Sequence, residues 1–326
     1  MKIAFVGKGG SGKTTLAALF ARHLAAAAVP VWAVDADINQ NLAAALGASA
    51  DFGCTPLGER LDELKEYLRG DNPRISSAAA MVKTTPPGRG SRLLRPFAPP
   101  RVLDGCVADI EGVALSVTGV FDEADLGVAC YHSKVGAVEL VLNHLIDDAD
   151  EYVVVDMTAG ADAFASGLFT RFDLVVVVCE PTLRSVGVYR QFVDYAADFD
   201  VTVRAVGNKA STVEDRAFLR EHLGEVMITH LGVSRHVRSA ERGCARPIDE
   251  LEPRNRKSLA AIRAALDAVP RDWDRFTRQA VQFHLRNATA WANTRVGEDL
   301  ADQIDPDFVL GSGTWLTTPE PVLSGR

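Results

Sequence analysis

Apolar residues in this chain gather in short, nearly unbroken runs. Lys2 to Gly7, Val31 to Val34, Val113 to Val117, Tyr152 to Val155, Leu174 to Cys179, Val201 to Val206 and Val226 to Leu231 are apolar at most positions rather than at every second one. Such runs predict strands buried on both faces, the condition of a parallel sheet covered by helices. Stretches of helical spacing separate most of them: Thr14 to Ala28, Val135 to Ile146, Leu183 to Phe199 and Val213 to Leu223, with Glu59 to Arg69 a further helix. The alternation predicts an α/β fold with a doubly wound, mostly parallel sheet. Over a hundred residues separate Val34 from Tyr152, too many for one crossover, so that insertion must hold structure of its own. After about Pro270 the alternation stops: Arg271 to Arg295 reads as one more helix, and Pro, Gly, Ser and Thr predominate from Asp305. The expected organisation is one domain over residues 1–270, with an insertion at about 50–130, and a C-terminal helical appendage with an extended tail over 271–326.

Composition narrows the partners. The chain has 326 residues, 47% of them apolar, enough for a sizeable core. A net charge of -8 argues against a protein whose main task is coating nucleic acid, because that affinity comes from Lys and Arg neutralising phosphates. The five cysteines are scattered, with no C-x-x-C pair, which suits a reducing compartment. Neither a signal-peptide pattern nor an apolar run long enough to span a membrane occurs, so a cytoplasmic location is expected. One segment departs from the acidic background: from Arg69 to Arg101, seven basic residues face one acid, and six of the fifteen prolines fall there. It is either a docking site for an acidic partner or anion, or an exposed loop balancing the acidic body.

The candidate chemistry begins where the first strand ends. Gly7-Lys8-Gly9-Gly10-Ser11-Gly12-Lys13-Thr14-Thr15 satisfies G-x-x-x-x-G-K-T between a strand and a helix, the context the motif requires. Glycines let backbone N–H groups curl around phosphate oxygens, and the helix N-terminus adds its positive end. Lys13 supplies charge to the terminal phosphates, and Thr14 can ligate Mg²⁺.

Lys8 falls where an ordinary phosphate loop has no fixed residue. With that lysine the loop resembles the deviant Walker A motif of the MinD/ParA class of ATPases. The resemblance implies an ATP-dependent homodimer in which Lys8 reaches the partner's phosphates. Val34-Asp35-Ala-Asp37-Ile-Asn-Gln-Asn41 resembles the class's switch I, which assigns Asp37 to polarising the attacking water and Asn41 to the hydrolysis site. Read on residues alone, Asp35 and Asp37 could equally cap the next helix. Tyr152-Val-Val-Val-Asp156-Met-Thr-Ala-Gly160 resembles switch II, with Asp156 holding a Mg²⁺-bound water and Gly160 offering its N–H to the γ-phosphate. Gly207-Asn208-Lys209 resembles the base-recognition segment, although the family's Ile-Pro segment is replaced here by Leu231-Gly-Val-Ser234.

Within the class the likeness is greatest to the CooC ATPases, which insert nickel during carbon monoxide dehydrogenase maturation. That likeness implies metal delivery or metalloenzyme maturation, with a protein client. Where those proteins carry Cys-x-Cys, this chain has Cys130-Tyr-His132. Two ligands are too few for one chain, but two chains on a two-fold axis would supply Cys₂His₂, suited to Zn²⁺ and compatible with Ni²⁺. The competing reading is a small buried cysteine beside a helix-capping histidine. A positioning or scaffold ATPase gripping DNA or membrane is the alternative function. Interleaved charges over Val233 to Arg278 read as a solvated face, so DNA is not the expected partner. The stripe Trp273, Phe276, Ala280, Phe283 and Trp291 reads as packing against the domain rather than as a membrane face.

Overall fold

The computed structural model describes residues 1–311 apart from 38, 50, 120–130 and 165. Every predicted apolar run forms a strand. The strands are β1 (Lys2–Gly7), β2 (Val31–Ala36), β3 (Ala108–Ile110), β4 (Val113–Val117), β5 (Tyr152–Met157), β6 (Leu174–Cys179), β7 (Val203–Gly207) and β8 (Met227–His230). They form one sheet in the order β3-β4-β2-β5-β1-β6-β7-β8. All pairs are parallel except β3 with β4. The antiparallel β3 has no signature in the apolar pattern, because its three residues are short of a period and lie half-buried or exposed at the sheet edge.

Helices cover both faces: α1 (Lys13–Ala26), α2 (Leu42–Leu46), α3 (Leu61–Arg69), α4 (Tyr131–Asn143), α5 (Leu183–Ala196), α6 (Val213–Leu223), α7 (Arg235–Ala240), α8 (Pro253–Asp267), α9 (Trp273–Asn287) and α10 (Asn293–Val296). Alternate residues of β1 supply the two layers. Ile3 and Phe5 pack with Leu16, Phe20 and Leu24 of α1 and Leu259, Ile262 and Leu266 of α8. Ala4 and Val6 face the opposite layer, with Leu64 of α3, Val138 and Val141 of α4, Phe192 of α5 and Leu219 of α6. Local signals set several helix ends: Thr212 and Asp215 form a capping box at the start of α6, and Pro253 opens α8 at its first turn.

The C-terminal appendage differs from the expected single helix followed by a tail. α9 and α10 are joined through a π-helical turn at Ala288–Ala292, and the chain from Asp305 to Leu310 packs down, with Asp305, Phe308 and Leu310 buried. Phe276 and Ala280 are buried as the stripe predicts, whereas Trp291 remains exposed. What covers the appendage is the basic, proline-rich segment. Its Thr84 and Thr85 are buried against it, with Thr84 Oγ1 3.4 Å from His284 Nδ1 and Thr85 donating to Gln303 Oε1 at 3.1 Å. Arg89 binds Asp305 through Nε at 2.8 Å and Nη2 at 3.0 Å. The stretch from Ala80 to Gly88 is therefore largely interior, whereas much of the segment on either side of it, Arg89 and Arg92 among it, reaches solvent.

Candidate nucleotide site

β1 lies at the centre of the sheet, with β5 on one side and β6 on the other, and its carboxyl end opens into the crevice where ligands of such sheets bind. A Cβ on Gly7 would stand 2.7 Å from Val178 O, so only glycine lets the chain leave the sheet there. Gly10 and Gly12 have φ of 79° and 95°, conformations that side chains rarely adopt, and a Cβ on Gly12 would strike the Asn208 amide. α1 then starts at Lys13 without a side-chain cap, which leaves its first N–H groups available to an anion. The buried Ser11 hydroxyl has no hydrogen-bond partner, and exposed Gly9 leaves open space around the loop.

Three carboxylates meet this loop. Strand register sets Asp35 of β2 beside Asp156 of β5, both fully buried. Thr14 Oγ1 donates to Asp156 Oδ2 at 2.5 Å, while Asp156 Oδ1 has no partner. Lys13 Nζ lies 3.3 Å from Asp37 Oδ2, both side chains only 7% exposed. Asp35 accepts the Asp37 N–H at 3.1 Å and the Leu42 N–H at 2.8 Å, so its task is to shape this turn and seat α2. The capping reading thus fits Asp35. Asp37 keeps one carboxylate oxygen on Asn39 and turns the other to Lys13.

Burial pushes the Asp35 carboxyl up to about 7, reinforced by neighbouring Asp37, although two backbone N–H donors and Lys13 oppose the change. Burial, then the adjacent Asp35, pushes Asp156 well above the ordinary carboxylate range, with Lys13 and the Thr14 hydroxyl opposing. One ammonium among three carboxylates leaves the pocket short of positive charge. The orphaned Asp156 Oδ1 next to the Thr14 hydroxyl is a hard oxygen donor set that fits Mg²⁺.

The remaining expected residues surround this centre. Gly160, at φ 67°, opens the turn after β5 with free space where a Cβ would be. Asn41 is exposed just before α2 and makes no capping bond through its side chain. Lys8 Nζ is 3.6 Å from Glu180 Oε2, and Lys209 Nζ binds Glu180 Oε1 at 2.8 Å and Gly10 O at 2.6 Å. Glu180 therefore holds both lysines, a role that its sequence position alone does not reveal. Asn208 Nδ2 donates to Ser11 O at 2.7 Å, fastening β7 to the loop.

Beside the loop runs a groove of about 170 Å³ lined by Thr15, Leu16, Asn208, Gly232, Val237 and Arg238. The segment Leu231 to Ser234 borders it even without the Ile-Pro pattern, because Asn255 Oδ1 accepts the Gly232 N–H at 3.0 Å and fixes that turn from α8. Asn255 and the α7 residues carry no motif, and only their tertiary placement brings them here. Cys130 lies outside the described residues, as does the side chain of His132. Among the described residues, no group of three or more His, Cys, Asp or Glu is placed to hold a metal ion, and no helix is long and apolar enough to cross a membrane.

Residues 3–242 match the CobQ/CobB/MinD/ParA nucleotide binding domain. The chain is 30% identical over 272 residues to the carbon monoxide dehydrogenase accessory protein CooC of Rhodospirillum rubrum, a match covering 82% of this chain and 96% of that protein. It is also 30% identical over 226 residues to an uncharacterised ATP-binding protein of Methanocaldococcus jannaschii, covering 69% of this chain and 80% of the other. Among solved structures, the ParA family ATPase from Chlorobium tepidum superposes with a TM-score of 0.56 at 16% identity, over 81% of this chain and 97% of that one. At that identity the last likeness speaks for the fold.

Proposed function

The chain belongs to the CobQ/CobB/MinD/ParA nucleotide-binding family, and from that premise we propose that it is a Mg²⁺-ATP-dependent switch, working as a face-to-face homodimer in metal delivery or metalloenzyme maturation. The observation that carries the reading is the convergence of Lys13, Asp37, Thr14 and Asp156 at the mouth of α1. Backbone N–H groups between Gly9 and Thr15, apart from that of Ser11, which donates to Lys8 O at 3.0 Å, receive the phosphates, and Lys13 turns from Asp37 to the terminal phosphate. That exchange frees the Asp37 carboxylate to orient a water for in-line attack, with Asn41 steadying it, while Gly160 donates its N–H to the γ-phosphate. Thr14 and Asp156 would hold Mg²⁺, which would supply charge neutralisation of the phosphate oxygens.

Adenine selection follows from one constrained amide. Ser11 O can only accept, so one of the two N–H groups of Asn208 Nδ2 is committed to it, which fixes the orientation of the amide and keeps Oδ1 as its acceptor for the base. An acceptor there suits the 6-amino group of adenine and repels the 6-oxo group of guanine. Dimerisation requires Lys8 to leave Glu180 and cross to the partner's phosphates, where each chain completes the other's site.

The role in metal handling is supported by the likeness to the accessory protein of Rhodospirillum rubrum over most of both chains. Cys130 and His132 would then form half of an intersubunit site for Ni²⁺ or Zn²⁺ as cargo. The test uses Asp37→Asn, which should keep ATP but lose about a hundredfold in hydrolysis, because the carboxylate acts on the water and not on the triphosphate. Lys8→Ala should lower hydrolysis and the ATP-dependent dimer mass together. Used as bait, ATP-loaded Asp37→Asn should recover an apo-metalloenzyme client, and mass spectrometry should find one metal per dimer. Normal turnover in Asp37→Asn would reassign switch I; a metal-free dimer in added Ni²⁺ and Zn²⁺ would remove the cargo site.

A further inference from the structure

The turn that follows Gly160 is fastened from two directions, one of them by a part of the chain beyond residue 242, where the family match ends. At Gly167 the fit is closest: a Cβ there would stand 2.8 Å from Glu139 Oε1 of α4 and 2.9 Å from Phe283 Cγ of α9. Glu139 is buried and receives the Gly167 N–H and the Ser166 hydroxyl. Its Oε2 has no hydrogen-bond partner, with Lys83 Nζ 3.9 Å away. From the other side the Phe283 ring packs edge-on against Phe169 at 5.6 Å and lies 5.2 Å from Phe199. Phe169 in turn meets Phe164 at 4.8 Å, and Phe164 lies 4.2 Å from Phe192 and 5.0 Å from Tyr195. Arg171 closes the joint by donating to Asn143 Oδ1 of α4 at 3.3 Å and to Phe276 O of α9 at 2.8 Å.

We propose that Glu139 and Phe283 are positioning residues for hydrolysis, gripping the turn at Gly167 so that α9 and the nucleotide-dependent switch II move as one mechanical unit. The inference rests on the nucleotide reading above. The rings of Phe164, Phe169 and Phe283 touch one after the next, so a displacement of the turn that follows Gly160 is passed along them to α9. The segment around Thr84, whose hydroxyl lies 3.4 Å from His284 Nδ1 of α9, moves with it. The position of the C-terminal appendage thereby follows the nucleotide state.

Phe283→Ala and Glu139→Gln should each slow ATP turnover about tenfold while leaving the Mg²⁺-ATP Kd within about twofold, and Phe283→Leu should restore most of the rate. A purely structural role would lower Tm and leave turnover of the folded protein unchanged. A second measurement needs no variant: hydrogen exchange of peptides spanning 273–287 in the intact wild-type chain should change when a non-hydrolysable ATP analogue binds with Mg²⁺. Normal turnover in both variants overturns the proposal. So does normal ATP binding with α9 exchange unmoved, and in that case the nucleotide reading stands; absence of ATP binding by the wild type overturns both.

Discussion

Two regions of this molecule bury charge, and they do so in opposite ways. At the foot of the sheet Asp147 is fully buried but saturated, with Lys2 Nζ 2.8 Å from Oδ1 and Arg271 Nη2 2.6 Å from Oδ2. Burial alone would raise its carboxyl, yet Lys2, the Met1 amino group and Arg271 outweigh that and hold it well below the usual carboxylate range. At the mouth of α1, Asp35 and Asp156 lie side by side with Lys13 turned to Asp37, one oxygen orphaned, and both carboxyls pushed up. The carboxylate of Asp147 is paired at both oxygens and serves the fold, whereas Asp156 keeps an oxygen free for a ligand. The first region fastens the approach to α9 onto β1, and the second is where the proposed function seats triphosphate and cation.

The sharpest way to break this contrast is to remove one charge from each region. Asp147→Ala leaves Lys2 and Arg271 buried without their partner and should cost about 3–5 kcal/mol in urea unfolding, with little effect on ATP affinity in the folded protein. Asp156→Asn should act in the other direction. It removes one of two adjacent like charges and keeps an acceptor for Thr14, so the nucleotide-free fold should gain about 1–2 kcal/mol at pH 8 while Mg²⁺-dependent hydrolysis is lost. Equal destabilisation by both substitutions would erase the distinction.

Smaller in effect, the pH responses should differ in sign. Asp35 has a folded value raised to about 7. The native state therefore binds more protons than the unfolded chain between about pH 4 and 7, and this contribution falls as pH rises through that window. Asp147 has a depressed value, so its contribution is present above about pH 4 and lost as pH falls below it. Unfolding free energies across pH 3 to 8 in chelator check both slopes. Asp156→Asn should flatten the one above pH 4 and leave the one below it, whereas an unchanged upper slope would place its origin outside the Asp35–Asp156 pair.

The incomplete region was the more legible in sequence, because its signals are local. Each part is marked where it stands: the glycines and Lys13 fall within a few residues of one another, and Asp35, Asp37 and Asp156 each stand at the end of an apolar run that identifies the strand carrying it. The saturated region joins Lys2, Asp147 and Arg271, far apart in the chain and unmarked by any motif. The same reason hides the insertion segment: charge and prolines suggest a surface loop, but burial of Thr84 and Thr85 depends on α9, some two hundred residues later. Glu180, Asn255 and Arg171 likewise acquire their roles only from long-range pairing.

The central claim is that the mouth of α1 is an ATP cradle whose incomplete charge is satisfied by Mg²⁺ together with the triphosphate, and calorimetry tests it most directly. Titrating Mg²⁺-ATP and Mg²⁺-GTP into the wild type and Lys13→Ala should give binding of ATP to the wild type and at least about tenfold weaker binding of GTP, because the Asn208 amide, oriented by Ser11 O, keeps its Oδ1 acceptor for the base. Lys13→Ala should give no measurable heat, since a buried phosphate charge loses its partner. Undiminished ATP affinity in Lys13→Ala would contradict the account.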